Sequence, residues 1–337
     1  MLLNPAIMAL ILVSVVVLLM MLAASGFAIQ LLRHWDIGSG SELQLRLERR
    51  AYLISTLLAW VFASELVSLL LFVYNAEAMS GQFVGAMCAT GVLNANPWGW
   101  PTLFLKIALF FSGAVWLSLN GLDNRGYDYP LIRIKYRLLL WLVPLVVAEA
   151  YLQLRYFLNL QPDIITSCCG SLFSTSAKGV AAEVTSVSPM IPMSALYLSG
   201  AAVAVAGFLF LHRQRAVTGT LFSLLAVIAF VAALVAVVSV LSPYIYEHPQ
   251  HHCPFCILKS GHGYAGYLLY VPLFIGTAAA LATGITAPWG RIQSLQDAVL
   301  ERGRSLARLA LGMFLFFYLV SAASVLGSSL QMQGVWW

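Results

Sequence analysis

Charge is what this sequence has least of. Asp, Glu, Lys and Arg make up 9% of its 337 residues, against about a quarter in soluble domains. At 61% hydrophobic residues there is more apolar surface than a water-soluble core can hide, so lipid must solvate most of the chain. The net charge of +5 gathers into no basic stripe, which argues against a nucleic-acid surface. No loop runs beyond about 30 residues, too short for an independent soluble core. There is no nucleotide-binding motif, low-complexity tract or internal repeat. The first apolar stretch lacks a basic n-region and a small-residue cleavage site, so it reads as a retained helix. These absences leave a single polytopic membrane domain over residues 1–337 as the expected organisation.

Eight stretches are long and apolar enough to span a bilayer, which takes about 20 residues each. They lie near 6–32, 52–75, 102–121, 138–159, 190–212, 218–242, 263–288 and 305–330. The fold class expected is therefore an all-α integral membrane protein with eight transmembrane helices. Fourteen of the 18 basic residues fall in four alternate connections. These are Arg33, Arg46, Arg49 and Arg50; Arg125, Arg133, Lys135 and Arg137; Arg213 and Arg215; and Arg291, Arg302, Arg304 and Arg308. The positive-inside rule makes these loops cytoplasmic. The N and C termini and the short outer loops 76–101, 160–189 and 243–262 are then extracytoplasmic. The expected location is the cell (inner) membrane, multi-pass, with lipid as the first partner.

All five cysteines lie in those outer loops: Cys88 in the first, Cys168 and Cys169 in the second, Cys253 and Cys256 in the third. That is the oxidising side, where disulfides persist. In "CPFCILKS" Cys253 is placed as the N-cap of a short half-helix with Pro254 at its first position. A thiol there feels the helix dipole and becomes nucleophilic. Burial nearer the membrane disfavours a thiolate on Cys256. Gly261 and Gly263 break the chain before the next span. The same segment also supports a metal site, with His248, His251, His252 and His262 beside Cys253 and Cys256 as ligands. A static disulfide is the third reading. In "SCCGSLF" the adjacent cysteines form only a strained ring with each other. They suit different bridge partners, or a soft metal such as Cu(I).

Cys88 opens "MCATGVLNANPWGWPTLFLKI", where Trp98 and Trp100 fit an interfacial aromatic belt. Cys88, then Val92 and Leu93, then "NPWGWP" leading into a span, together with "CPFC" at the outer end of a later helix, resembles the vitamin K epoxide reductase family. The likeness covers about 30 residues, and the two motifs stand further apart here than in the family. It implies that Cys253 and Cys256 form a quinone-side pair and Cys88 a shuttle cysteine. It also implies a thioredoxin-like protein on the outer side as the partner, with Cys168 or Cys169 replacing the missing second loop cysteine.

Two acids interrupt the spans, Glu65 in "FASELVSLL" and Glu149 in "VVAEAYLQLRYF". Charges at this depth are costly and face a polar interior. They serve either as a proton path or as interhelical hydrogen bonds that fix packing. Lys106, one turn into its span, is expected to snorkel to the interface.

Three functions follow. The first is thiol–disulfide electron transfer among Cys88, Cys168, Cys169, Cys253 and Cys256, to or from a quinone. His252 and His262, with Glu65 and Glu149, handle protons in that scheme. The second is copper or zinc binding at the outer face, for delivery to or from a copper protein. The third is a non-catalytic subunit of a larger membrane complex, with the loops stapled by disulfides.

Overall fold

The computed structural model describes residues 3–161, 188–332 and 335. Among these every regular element is helical. Eight helices are long and apolar enough to cross a membrane: Pro5–His34, Glu42–Gln82, Gly99–Asp123, Ile132–Leu158, Met190–Arg213, Ala216–Tyr246, Ala265–Arg291 and Gln293–Leu326. All eight expected spans are present. The second begins about ten residues earlier than its apolar run, because "ELQLRLERR" is made of good helix formers that extend the helix past the lipid. Large apolar side chains such as Leu12, Trp60, Trp141, Leu198 and Phe208 point outward. A protein dissolved in water would hide most side chains of this size and kind.

The described residues fall into two compact units. The first comprises Met1–Ala78, Ala95–Pro162 and Trp289–Val299. Its helices are α1 (Pro5–His34), α2 (Glu42–Ala78), α4 (Gly99–Asp123) and α5 (Ile132–Leu158). They close a ring in which α1 packs on α2 and α5, and α4 packs on the same two. Asn4 caps α1 by accepting from the Ala6 N–H at 2.9 Å, ahead of Pro5 at the first helical position. Aromatic side chains fill the interior: Phe62 lies 4.9 Å from Trp116 between ring centroids, and Phe27 meets Tyr136 edge-on. Where α4 ends and α5 begins, Lys135 Nζ sits 2.7 Å from Asp123 Oδ2. Asn120 completes the lysine's partners, and the Leu131 N–H donates to Asp123 Oδ1. That buried pair is charge-balanced and hydrogen-bonded.

The second unit comprises Met79–Asn94, Asp163–Pro288 and Leu300–Trp337. It holds the short α3 (Ala89–Leu93), then α6 (Met190–Arg213), α7 (Ala216–Ala236), α8 (Ser242–Tyr246) and α9 (Ala265–Thr286), and most of α10 (Gln296–Leu326). Helix α7 packs on both α6 and α9. Small residues allow the close approach: a Cβ on Gly284 of α9 would stand 2.2 Å from the Ser223 hydroxyl and 2.9 Å from the Gly219 carbonyl of α7.

Helix α7 does not run straight into α8. Residues Val237–Leu241 form a π-turn, and Pro243 explains it. Its ring cannot sit over the preceding turn of an α-helix, and it has no N–H to give. In π register Ser242 N–H bonds the Val237 carbonyl, and the next donor in line is Pro243 itself. The Val238 carbonyl is thereby orphaned inside the membrane end of the helix. His252 Nδ1 fills the vacancy at 3.1 Å. A carbonyl only accepts, so Nδ1 carries the proton and Nε2 the lone pair. This bond anchors the residue before Cys253.

Candidate functional site

Cys88, Cys253 and Cys256 converge in the second unit, with their three Sγ atoms all within 4.8 Å of one another. Cys88 comes from the N-cap of α3, in extended backbone, and is separated from Cys253 by 165 residues. Their sulfurs are 3.1 Å apart, and all three cysteines are free thiols, since a bridge needs about 2.05 Å. None is more than 7% exposed. Cys168 and Cys169, the other two cysteines expected to take part, lie outside the described residues.

The "CPFC" segment is not the half-helix the sequence suggests. Residues 254–255 form a turn and Cys256–Leu258 a single 3-10 turn. Ser260–His262 forms another, before Gly263 and Tyr264 turn the chain into α9 through positive φ. There is no helix dipole to activate Cys253. Side chains hold the loop instead: Tyr246 Oη donates to the Cys253 carbonyl at 2.5 Å and Tyr270 Oη to the Pro254 carbonyl at 2.8 Å. Lys259 Nζ reaches the Met87 carbonyl beside Cys88.

Hydrogen bonds set the thiol acidities. Cys253 receives bonds from Cys256 and Cys88, with a further one from Thr90, and these push its thiol from 9.0 down to about 3. Burial opposes the shift and is outweighed. Cys256 is pushed far up, because it donates to Cys253 and because it is buried. Cys88 also moves up, chiefly by donating to Cys253. The cluster is therefore one thiolate cradled by two thiols and the Thr90 hydroxyl, whose oxygen is 3.3 Å from Cys253 Sγ. The sequence expects a helix dipole to lower Cys253; here the neighbouring thiols and Thr90 lower it instead, and burial adds to the rise of Cys256.

No histidine belongs to the three-sulfur group among the described residues. His251 and His262 pack edge-on against the Tyr246 ring, at 4.2 and 4.6 Å between centroids. His252 is turned to Val238. His248 is exposed, with its Nδ1 near the Gln250 N–H. Desolvation lowers the pKa of His251, His252 and His262, so each is neutral near pH 7. His251 also lies within electrostatic reach of Cys88, a placement that sequence reasoning reserved for a metal ligand. Thr90 and Tyr246 were missed altogether. A hydroxyl two residues after Cys88 was the one available hint of the first.

The remaining acids lie in the first unit. Glu149 pairs with Lys106 at 2.6 Å between Oε1 and Nζ, and Lys106 is 1% exposed. Lys106 therefore does not snorkel: a buried carboxylate is a better partner than a reach to the interface. Glu65 is buried on α2. No protein-family model, curated protein or solved structure matches the chain.

Proposed function

We propose that the protein is a membrane thiol–disulfide oxidoreductase whose working centre is Cys88, Cys253 and Cys256. The observation that carries this is one depressed thiol lying within bonding reach of two others. The positive-inside pattern puts the centre, and both termini, on the extracytoplasmic side. The Cys253 thiolate attacks a partner disulfide, forming a mixed disulfide and expelling one partner thiolate. Cys256 or Cys88, on losing its proton, then attacks Cys253 Sγ. That forms an internal bridge and releases the second partner thiolate. Two electrons pass from the chain to the partner; the resolving thiol gives up one proton, and solvent supplies the second that completes the partner dithiol, because Cys253 starts as a thiolate. The reverse sequence oxidises a partner dithiol. His251, within electrostatic reach of Cys88, is a neutral base for the resolving thiol. The resemblance to vitamin K epoxide reductases assigns the partner to the thioredoxin-like class and the far electron carrier to a quinone. Quinone reduction to quinol takes the same two electrons and two protons.

Because two thiols flank Cys253, either can resolve the mixed disulfide. Cys88→Ser and Cys256→Ser should each trap little partner, and the double variant should trap it through Cys253 on non-reducing gels. Trapping by the double variant that persists when Cys253 is also replaced would refute the assignment.

A second reading has its own support. Three sulfurs this close make a soft-donor set suited to Cu(I) or zinc. Metal analysis of the same purified variants separates the two. A metal centre loses its ion about equally on replacement of any of the three cysteines and traps no partner.

A further inference from the structure

We infer that Glu65 is a proton-binding site inside the membrane part of the first unit, carried as a neutral carboxylic acid beside the Lys106–Glu149 ion pair. The argument is independent of the thiol chemistry and rests on charge balance and hydrogen bonding.

Three ionisable side chains meet between α2, α4 and α5, and none is more than 3% exposed. Lys106 Nζ has Glu149 Oε1 at 2.6 Å and donates to Ser68 Oγ at 2.7 Å. Glu149 Oε2 accepts from Ser14 Oγ of α1 at 3.1 Å. Lysine and glutamate thus satisfy each other with a hydroxyl apiece. Glu65 lies within electrostatic reach of both, yet neither of its oxygens has a hydrogen-bond partner.

One cation therefore faces two carboxyls. Were both ionised, one negative charge would stand uncompensated and unbonded on Glu65, buried in α2. Burial in lipid opposes that strongly. The rest of the ring offers no relief. Helix α1 contributes only the neutral Ser14, and Gln153 of α5 spends its amide on the Leu10 carbonyl. The remaining buried charges of the four helices, Asp123 and Lys135, already balance each other, and Asp123 is about 26 Å from Lys106 along α4. A proton on Glu65 closes the balance. The site is then a carboxyl that holds a proton within the lipid-embedded bundle, beyond what a packing ion pair needs.

The test is infrared spectroscopy of the full chain in lipid nanodiscs at neutral pH, reading the carbonyl stretch that only a protonated carboxylic acid shows. The wild type should show one such band. Glu65→Gln, which mimics the neutral acid in shape and so keeps the fold, should abolish it. Lys106→Met should double it, because two carboxyls then share no cation. Glu149→Gln should abolish it, because Glu65 must ionise to balance Lys106. A wild type without the band, or a band that survives Glu65→Gln, overturns the inference. A band that appears only when sodium and potassium are withdrawn also overturns it, and makes the site a monovalent-cation site.

Discussion

Removing the donors around Cys253 should raise its pKa in steps. A hydrogen bond to a charged group is worth about 1.5–3 kcal/mol, and one pKa unit is about 1.4 kcal/mol. Each thiol donor should therefore account for roughly one to two of the units that separate about 3 from 9.0. In the wild type Cys253 should be ionised throughout pH 5–8, whereas an ordinary thiol at 9.0 is about 1% ionised at pH 7. Cys88→Ala or Cys256→Ala should bring the midpoint to about 4–5, and the double variant to about 5–7. Serine in either place keeps an O–H donor and should shift it less. Cys88 and Cys256 ionise above the usual thiol range, so they do not contaminate the low-pH window. The assay is thiolate ultraviolet absorbance of the reduced protein in nanodiscs, with Cys168 and Cys169 replaced by serine and a Cys253→Ser chain as baseline. A Cys253 midpoint near 9 in the wild type would refute the thiolate cradle. So would a double alanine variant that titrates where the wild type does.

Linkage adds a stability profile. The depressed Cys253 makes the reduced fold more stable as pH rises from about 3 toward 9, while the raised Cys88 and Cys256 make it less stable above that range. Thermal unfolding of the reduced protein should therefore be most resistant near pH 9, and Cys253→Ser should remove the rising limb. Asp123→Asn or Lys135→Met should each destabilise by about 3–5 kcal/mol by stranding a buried charge, and the two together should recover most of the loss; melting curves in detergent decide it. Gly284→Val should cost about 1–3 kcal/mol by overpacking. Ser223→Gly should rescue it only in part, because the Gly219 carbonyl remains in the way.

How far the sequence discloses the site follows from which forces act locally. Spans are legible because lipid demands about 20 apolar residues whatever the neighbours do. The approach of Cys88 to Cys253 across 165 residues is not local, and only the segregation of cysteines into alternate loops hints at it. The form of "CPFC" was misjudged for a related reason. Pro254 after a cysteine suits a helix start, but the segment is too short to pay for nucleating one. Hydroxyls from Tyr246 and Tyr270 therefore fix its carbonyls instead. Pro243 was a readable signal, since a proline late in an apolar run must orphan a carbonyl. Nothing in the spacing says that the donor is His252.

Lys106 shows where counting would have gone further than periodicity. Near a helix start and beside Trp98 and Trp100 it fits an interfacial lysine, and judged alone snorkelling is the cheapest answer. Judged with α2 and α5 it is one base facing two acids, Glu65 and Glu149. Unpaired charges do not persist there, so one acid must claim the lysine and the other must find a proton or a cation. Which acid does which depends on hydroxyls. Ser68 and Ser14 stand beside Lys106 and Glu149, and no such donor reaches Glu65. The ion pair and the leftover carboxyl are thus one consequence of putting an odd number of charges into a low-dielectric bundle.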